Sequence, residues 1–180
     1  MIIKGILKAV KGDETWQEEF DLTTPAFYRS YAALVLCIPL FVLIIMAVVK
    51  YNDNPGIVPF VEINIILAIM GLSFSVIAYV LTLMFNTQSI FRPWVIVRNW
   101  AFLGIITAIA IAFGLYLLGL LPFSIAYMIG LALYLGILAL DISLAVHIAK
   151  FDWAGAVFSA ILISMTSIMI LYLGLLQALS

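Results

Sequence analysis

The chain has 180 residues, of which 67% are hydrophobic and 9% charged, and its net charge is −1. Soluble domains are about half apolar and about a quarter charged, so this composition cannot supply a water-facing surface. The charge balance leaves no electrostatic footprint for nucleic acid, and the single cysteine, Cys37, excludes an intrachain disulfide and a cysteine-rich metal site.

Residues 1–24 are the one sizeable piece outside the long apolar runs. Ile2, Ile3, Ile6, Leu7 and Val10 recur at helical spacing, with Lys4, Lys8 and Lys11 on the opposite side. This pattern predicts a short amphipathic helix in the membrane interface, its lysines toward anionic headgroups. Lys4 and Lys8 interrupt the apolar stretch and no small-residue cleavage site follows, so no cleavable signal peptide is expected. The sign of charge then reverses in "GDETWQEEFDL". Trp16, Glu18, Glu19, Phe20 and Asp21 form a candidate arm for docking a partner, and the competing reading is a solvated, self-compensating segment. Thr24 and Pro25 read as the N-cap and first position of the first span.

A membrane helix needs about 20 mostly apolar residues. Five segments qualify, at about 26–49, 63–85, 100–120, 124–146 and 156–179. The expected fold is therefore all-α and polytopic: a bundle of five transmembrane helices over 25–180, preceded by the amphipathic and acidic arm of 1–24. Pro39 should kink the first span or free a carbonyl in it. Tyr51, Pro55, Gly56 and Pro59 mark a short loop after the first span, and Pro122 a tight turn before the fourth.

Lys and Arg set the orientation. Lys4, Lys8, Lys11, Arg29, Arg92, Arg98 and Lys150 share one side of a five-span chain, against Lys50 alone on the other. The N-terminus is expected in the cytoplasm and the C-terminus outside. Tyr28, Tyr31, Trp94, Trp100, Phe151 and Trp153 fall at the depth of the cytoplasmic headgroups, where amphipathic rings prefer to lie. Small residues form stripes for close helix packing: Gly71, Ser75, Ala78 and Thr82; Ala101, Gly104, Ala108 and Ala112; Ala156, Ala160, Ser164, Ser167 and Gly174.

Charge within a span is expensive and is a functional candidate by default. Glu62 begins the second span, where a carboxylate suits the helix dipole. Asp141 lies near the inner edge of the fourth span, and Ile137, Leu138, Leu144 and Ala145 give it no partner on its own helix. Arg98 is its expected partner across the bundle, with Arg29 second, making an interhelical tether; the rival role is a proton-relay carboxylate. His147 is the only histidine and has no companions for a metal site. No serine or cysteine has a base at a recognisable spacing, and no glycine-rich phosphate loop occurs, so neither catalytic, metal nor cofactor residues are assigned.

The segment "FDLTTPAFYRSYAAL", residues 20–34, resembles the opening of small uncharacterised multi-pass proteins of bacterial inner membranes. Asp21, Leu22, Thr23, Phe27, Tyr28, Arg29, Ser30 and Tyr31 carry the likeness, which covers under a tenth of the chain. The five-span layout is also similar, in topology alone, to the YIP1-type family, which implies a link to membrane organisation and trafficking. The expected protein is a non-enzymatic accessory, assembly or membrane-organising component of a bacterial inner membrane. Its expected partners are the lipid bilayer and either another membrane protein or further copies of itself. The alternative is a small permease or channel coupled through Asp141.

Overall fold

The computed structural model describes residues 2–52 and 59–179. Among them the chain is helical, without strands, and five helices are long and apolar enough to cross a membrane. α1 spans Ile2–Lys11 and α2 Thr24–Ser30. The spanning helices are α3 (Ala32–Asn52, continuing α2), α4 (Phe60–Met84), α5 (Phe91–Leu117), α6 (Phe123–His147) and α7 (Trp153–Leu179). Pro55 and Gly56 of the expected loop lie outside the described residues.

α5 is the central post, touching α3, α4 and α6 along the bundle and α1 and α2 at one end. α7 closes the other side against α4 and α6. The basic residues gather at the end of the bundle that holds α1 and α2. One core cluster lies there, around Trp94, Phe74, Leu81, Leu144 and Phe151, and a second toward the far end around Phe102, Ile106, Ile109 and Phe113.

Three details differ from expectation. α5 begins at Phe91, nine residues before the expected start at 100. Pro93 falls in its first turn, where a missing N–H is harmless, and Arg98 is neutralised from α6, so the helix carries its charge inward. The first span is interrupted at Tyr31, a break that was not expected, while at Pro39 it stays helical and frees a carbonyl, one of the two expected outcomes. Val35 thereby loses its usual N–H donor at Pro39 while the helix continues. The N-cap of α2 is Thr23, whose hydroxyl accepts from the Ala26 N–H at 3.4 Å, with Thr24 already helical.

The turns follow from backbone chemistry. After α5, Gly119 adopts φ +75, and the Leu120 N–H donates to Leu115 O at 2.9 Å, the bonding of a Schellman stop. Pro122 then starts α6. Gly12 ends α1 in the same way, at φ +74, with the Asp13 N–H on Lys8 O.

The small-residue stripes are partly buried. Gly71, Ala78 and Thr82 face the core, as do Ala156 and Ala160. In α5, Ala101 and Ala112 of the expected stripe are buried, whereas Gly104 is exposed and a Cβ there would meet nothing within 4 Å. Of the expected aromatic belt, Tyr28 and Trp153 are exposed, whereas Trp94 and Phe151 are core residues whose rings meet edge to face at 5.5 Å.

Candidate functional site

Arg98 and Asp141 meet in the interior. Arg98 is seven residues into α5, about 10 Å from its start, and Asp141 is six residues from the end of α6, about 9 Å, at a rise of about 1.5 Å per residue. The two antiparallel helices therefore bring them to one depth. Nε donates to Oδ1 at 3.2 Å and Nη2 to Oδ2 at 3.4 Å, a side-on pair with Arg98 4% and Asp141 1% exposed. The guanidinium is flanked by the rings of Phe74 and Phe102, at 4.4 and 4.8 Å. Cation–π attraction on a desolvated guanidinium reinforces the clamp. Removing either partner of a buried pair costs about 3–5 kcal/mol, because the survivor is left as a bare charge.

Arg29 is not part of this pair. It donates to Asp21 at 2.8 Å on an exposed surface, where such a bridge contributes about 0–1 kcal/mol.

The arm folds back on the bundle. Ala9 and Trp16 enter the core cluster beside Trp94, Ala145 and Phe151. The Ser143 hydroxyl donates to Val10 O at 2.7 Å and lies 3.1 Å from His147 Nδ1. His147 rests against Gly12, where a Cβ would come within 2.7 Å of its ring. The expected docking surface is thereby divided. Trp16 is 4% exposed and Phe20 packs against the same cluster, so these rings turn inward, which corrects their place in the expected docking arm. The cause is the apolar floor that α5 and α6 provide at this end. Glu19 holds Lys8 at 2.9 Å and Lys4 at 3.1 Å, and that hydrogen bond raises the Lys8 pKa above its ordinary value. Glu18 and Asp21 remain exposed.

The outer face of α1 keeps Ile3 and Leu7 exposed next to Lys4 and Lys11. The carboxyl of Asp13 is held below its ordinary value by the Thr15 hydroxyl and backbone N–H, at 2.8 and 3.0 Å. Glu62 is exposed in the first turn of α4.

Sequence reasoning missed several polar links between helices. Tyr31 donates to Ser75 at 2.8 Å, joining the α2–α3 junction to α4. Asn99 donates to Ser30 at 3.1 Å within the core, joining α5 to α2. Asn99 Oδ1 and Trp94 Nε1 are buried without a partner among the described residues. A polar residue one position from Arg98 was the available signal for this cluster. Missed too was a cavity of about 440 Å³ enclosed by α3–α7, with Arg98 and Asp141 at one end. Its walls are almost wholly apolar apart from Ser164 and Ser167. Among the described residues, no three metal-ligating side chains gather in one place.

Fold and composition together define a multi-pass, all-α membrane protein. No family model, curated protein or solved structure matches the chain.

Proposed function

We propose that the protein is a non-enzymatic accessory or membrane-organising component of a bacterial inner membrane, with its N-terminus in the cytoplasm and its C-terminus outside. The observation that carries this reading is the one buried ion pair among the described residues: Arg98 and Asp141 are bonded side-on across two helices, as an interhelical tether is. The polar side chains nearby bind helix to helix or arm to helix. The surface left over is the exposed acidic arm around Glu18, flanked by Glu14 at 3.7 Å from Lys150 and Asp21 bonded to Arg29, and the apolar-basic face of α1. The first suits a basic cytoplasmic segment of another membrane protein or of a second copy, and the second suits anionic headgroups.

The rival reading, a small permease or channel, draws on the cavity that reaches Asp141. Its apolar walls and the guanidinium held on that carboxylate favour the tether. Two measurements separate the readings. Purification in mild detergent should yield a stoichiometric complex, with a second protein or with itself, that dissociates when Glu18 is changed to Lys. Proteoliposomes should show no proton flux that depends on Asp141. Flux abolished by Asp141→Asn, in a protein that remains folded and monomeric, would replace the proposal with the permease.

A further inference from the structure

The cavity has a shape as well as a volume. On α5 its lining runs from Arg98 to Phe113, and on α6 from Asp141 back to Tyr127. Fifteen helical residues rise about 22 Å. About 440 Å³ is spread over that length, so the space is an elongated slot rather than a rounded chamber.

The walls are not equally closed. On α3 and α5, lining residues such as Phe102, Ile106 and Phe113 are buried or half-buried. On α6, Tyr127, Leu131 and Leu135 line the slot and are also exposed, as is Ile168 facing them on α7. The mouth therefore opens sideways between α6 and α7, along the flank of the spans, where the surroundings are lipid. A solute arriving from water would not meet it.

The inner end carries a specific donor. Nε and Nη2 of Arg98 are taken by Asp141, which leaves Nη1 without a hydrogen-bond partner among the described residues. Arg98 is nonetheless more than nine-tenths buried and borders the slot. Nη1 is not fully enclosed, so an acceptor entering the slot reaches a donor whose neighbours are otherwise apolar. A carboxylate or phosphate there would face Asp141 as well as Arg98, and the like charge would cancel much of its gain. An uncharged oxygen accepts the bond without that repulsion.

We propose that this slot binds a single-chain lipid with an uncharged oxygen at its head, the oxygen on Arg98 Nη1 and the hydrocarbon chain lying between α5, α6 and α7 toward Phe113 and Tyr127. The inference goes beyond the accessory role and does not depend on it, because the ligand needs neither a partner protein nor the arm.

The test uses the full-length protein in phosphatidylcholine nanodiscs, with a long-chain fatty alcohol bearing a diazirine near its far end and the matching fatty acid as a second probe. Photolabelling by the alcohol should map to α5 and α6 beside Phe113 and Tyr127. An excess of unlabelled alcohol should reduce it about tenfold, and the acid should label about tenfold less. Filling the slot with Ser164→Leu and Ser167→Phe should lower labelling about tenfold while the thermal midpoint is held or raised. Should that pair fail to fold, Leu135→Trp at the exposed mouth provides the same block from outside. Labelling that no competitor reduces, that the filled and blocked variants retain, or that acid and alcohol share equally would overturn the proposal. None of these outcomes bears on whether a protein partner co-purifies or a proton moves, so the two readings fail separately.

Discussion

Substitution of Asp141 by Asn removes the charge opposite Arg98 and leaves nearly the same volume. Arg98 is 4% exposed, and its bonds to Asp141, at 3.2 and 3.4 Å, are its only side-chain hydrogen bonds among the described residues. The expected loss is about 3–5 kcal/mol, the cost of stranding one member of a buried pair. The Phe74 and Phe102 rings stay in place and retain about 0.5–2 kcal/mol of cation–π attraction each, which brings the expectation to the lower end of that range. At about 2–4 °C per kcal/mol for a chain of this size, the thermal midpoint should fall by about 10 °C. Arg98→Gln should cost a similar amount, since it bares Asp141 and loses both ring contacts. The double variant replaces the ion pair by two amides that can bond to one another, so its loss should fall short of the sum by at least about 2 kcal/mol. Thermal unfolding of the four proteins in one detergent measures this cycle. Strictly additive losses would show that the two side chains are neighbours without mutual dependence, and the tether argument would fail.

Gly12→Ala should release the arm, because φ +74 strains any other residue and the new Cβ would lie 2.7 Å from the His147 ring; a local loss of about 1–3 kcal/mol should appear as faster trypsin cleavage at Lys11, and an unchanged rate would refute the docking geometry. Gly174→Ala should separate α7 from α4, since its Cβ would come within 2.5 Å of Ile66 Cγ1; overpacking of this kind costs about 1–3 kcal/mol, readable as a lower midpoint that Ile66→Ala restores in part. Acid should loosen the arm before the bundle. Thr15 on Asp13 and Thr23 on Asp21 hold both carboxyls below their ordinary value of 3.8. Groups depressed in the folded state contribute stability above their unfolded pKa and lose it as pH falls through the folded one. Trp16 emission should therefore shift to the red below about pH 4 and stay constant from there to neutrality; in a protein carrying Trp16 as its only tryptophan, emission that does not change on acidification would refute the link.

The helical architecture was legible because each span is a long apolar run, a signal that depends on composition and not on neighbours. The pairing of Arg98 with Asp141 was legible for a related reason: an embedded charge needs an opposite one, and few candidates lay near its depth. The same two residues show where reading stopped. A hydropathy window treats Arg98 and Asn99 as a loop, since it cannot see that Asp141 and Ser30 satisfy them from other helices, and so it placed the third span nine residues late. The fold-back of the arm sets Val10 on Ser143, Gly12 against His147 and Trp16 in the cluster of Phe151, all more than a hundred positions away, and no local periodicity contains those contacts. The slot was invisible because a void is a property of how five helices fail to fill space together.

The fold-back of the arm has a consequence for biogenesis. Ala9, Val10 and Trp16 leave the ribosome long before the groups that receive them, Ser143, His147 and Phe151, which emerge only after three spanning helices have been threaded into the bilayer. Throughout that interval the indole of Trp16 has no site on its own chain, and a chaperone or the nearby lipid surface must shelter it. Docking of the arm is thus a late event of maturation, and a nascent chain stalled before residue 140 would leave it exposed to protease.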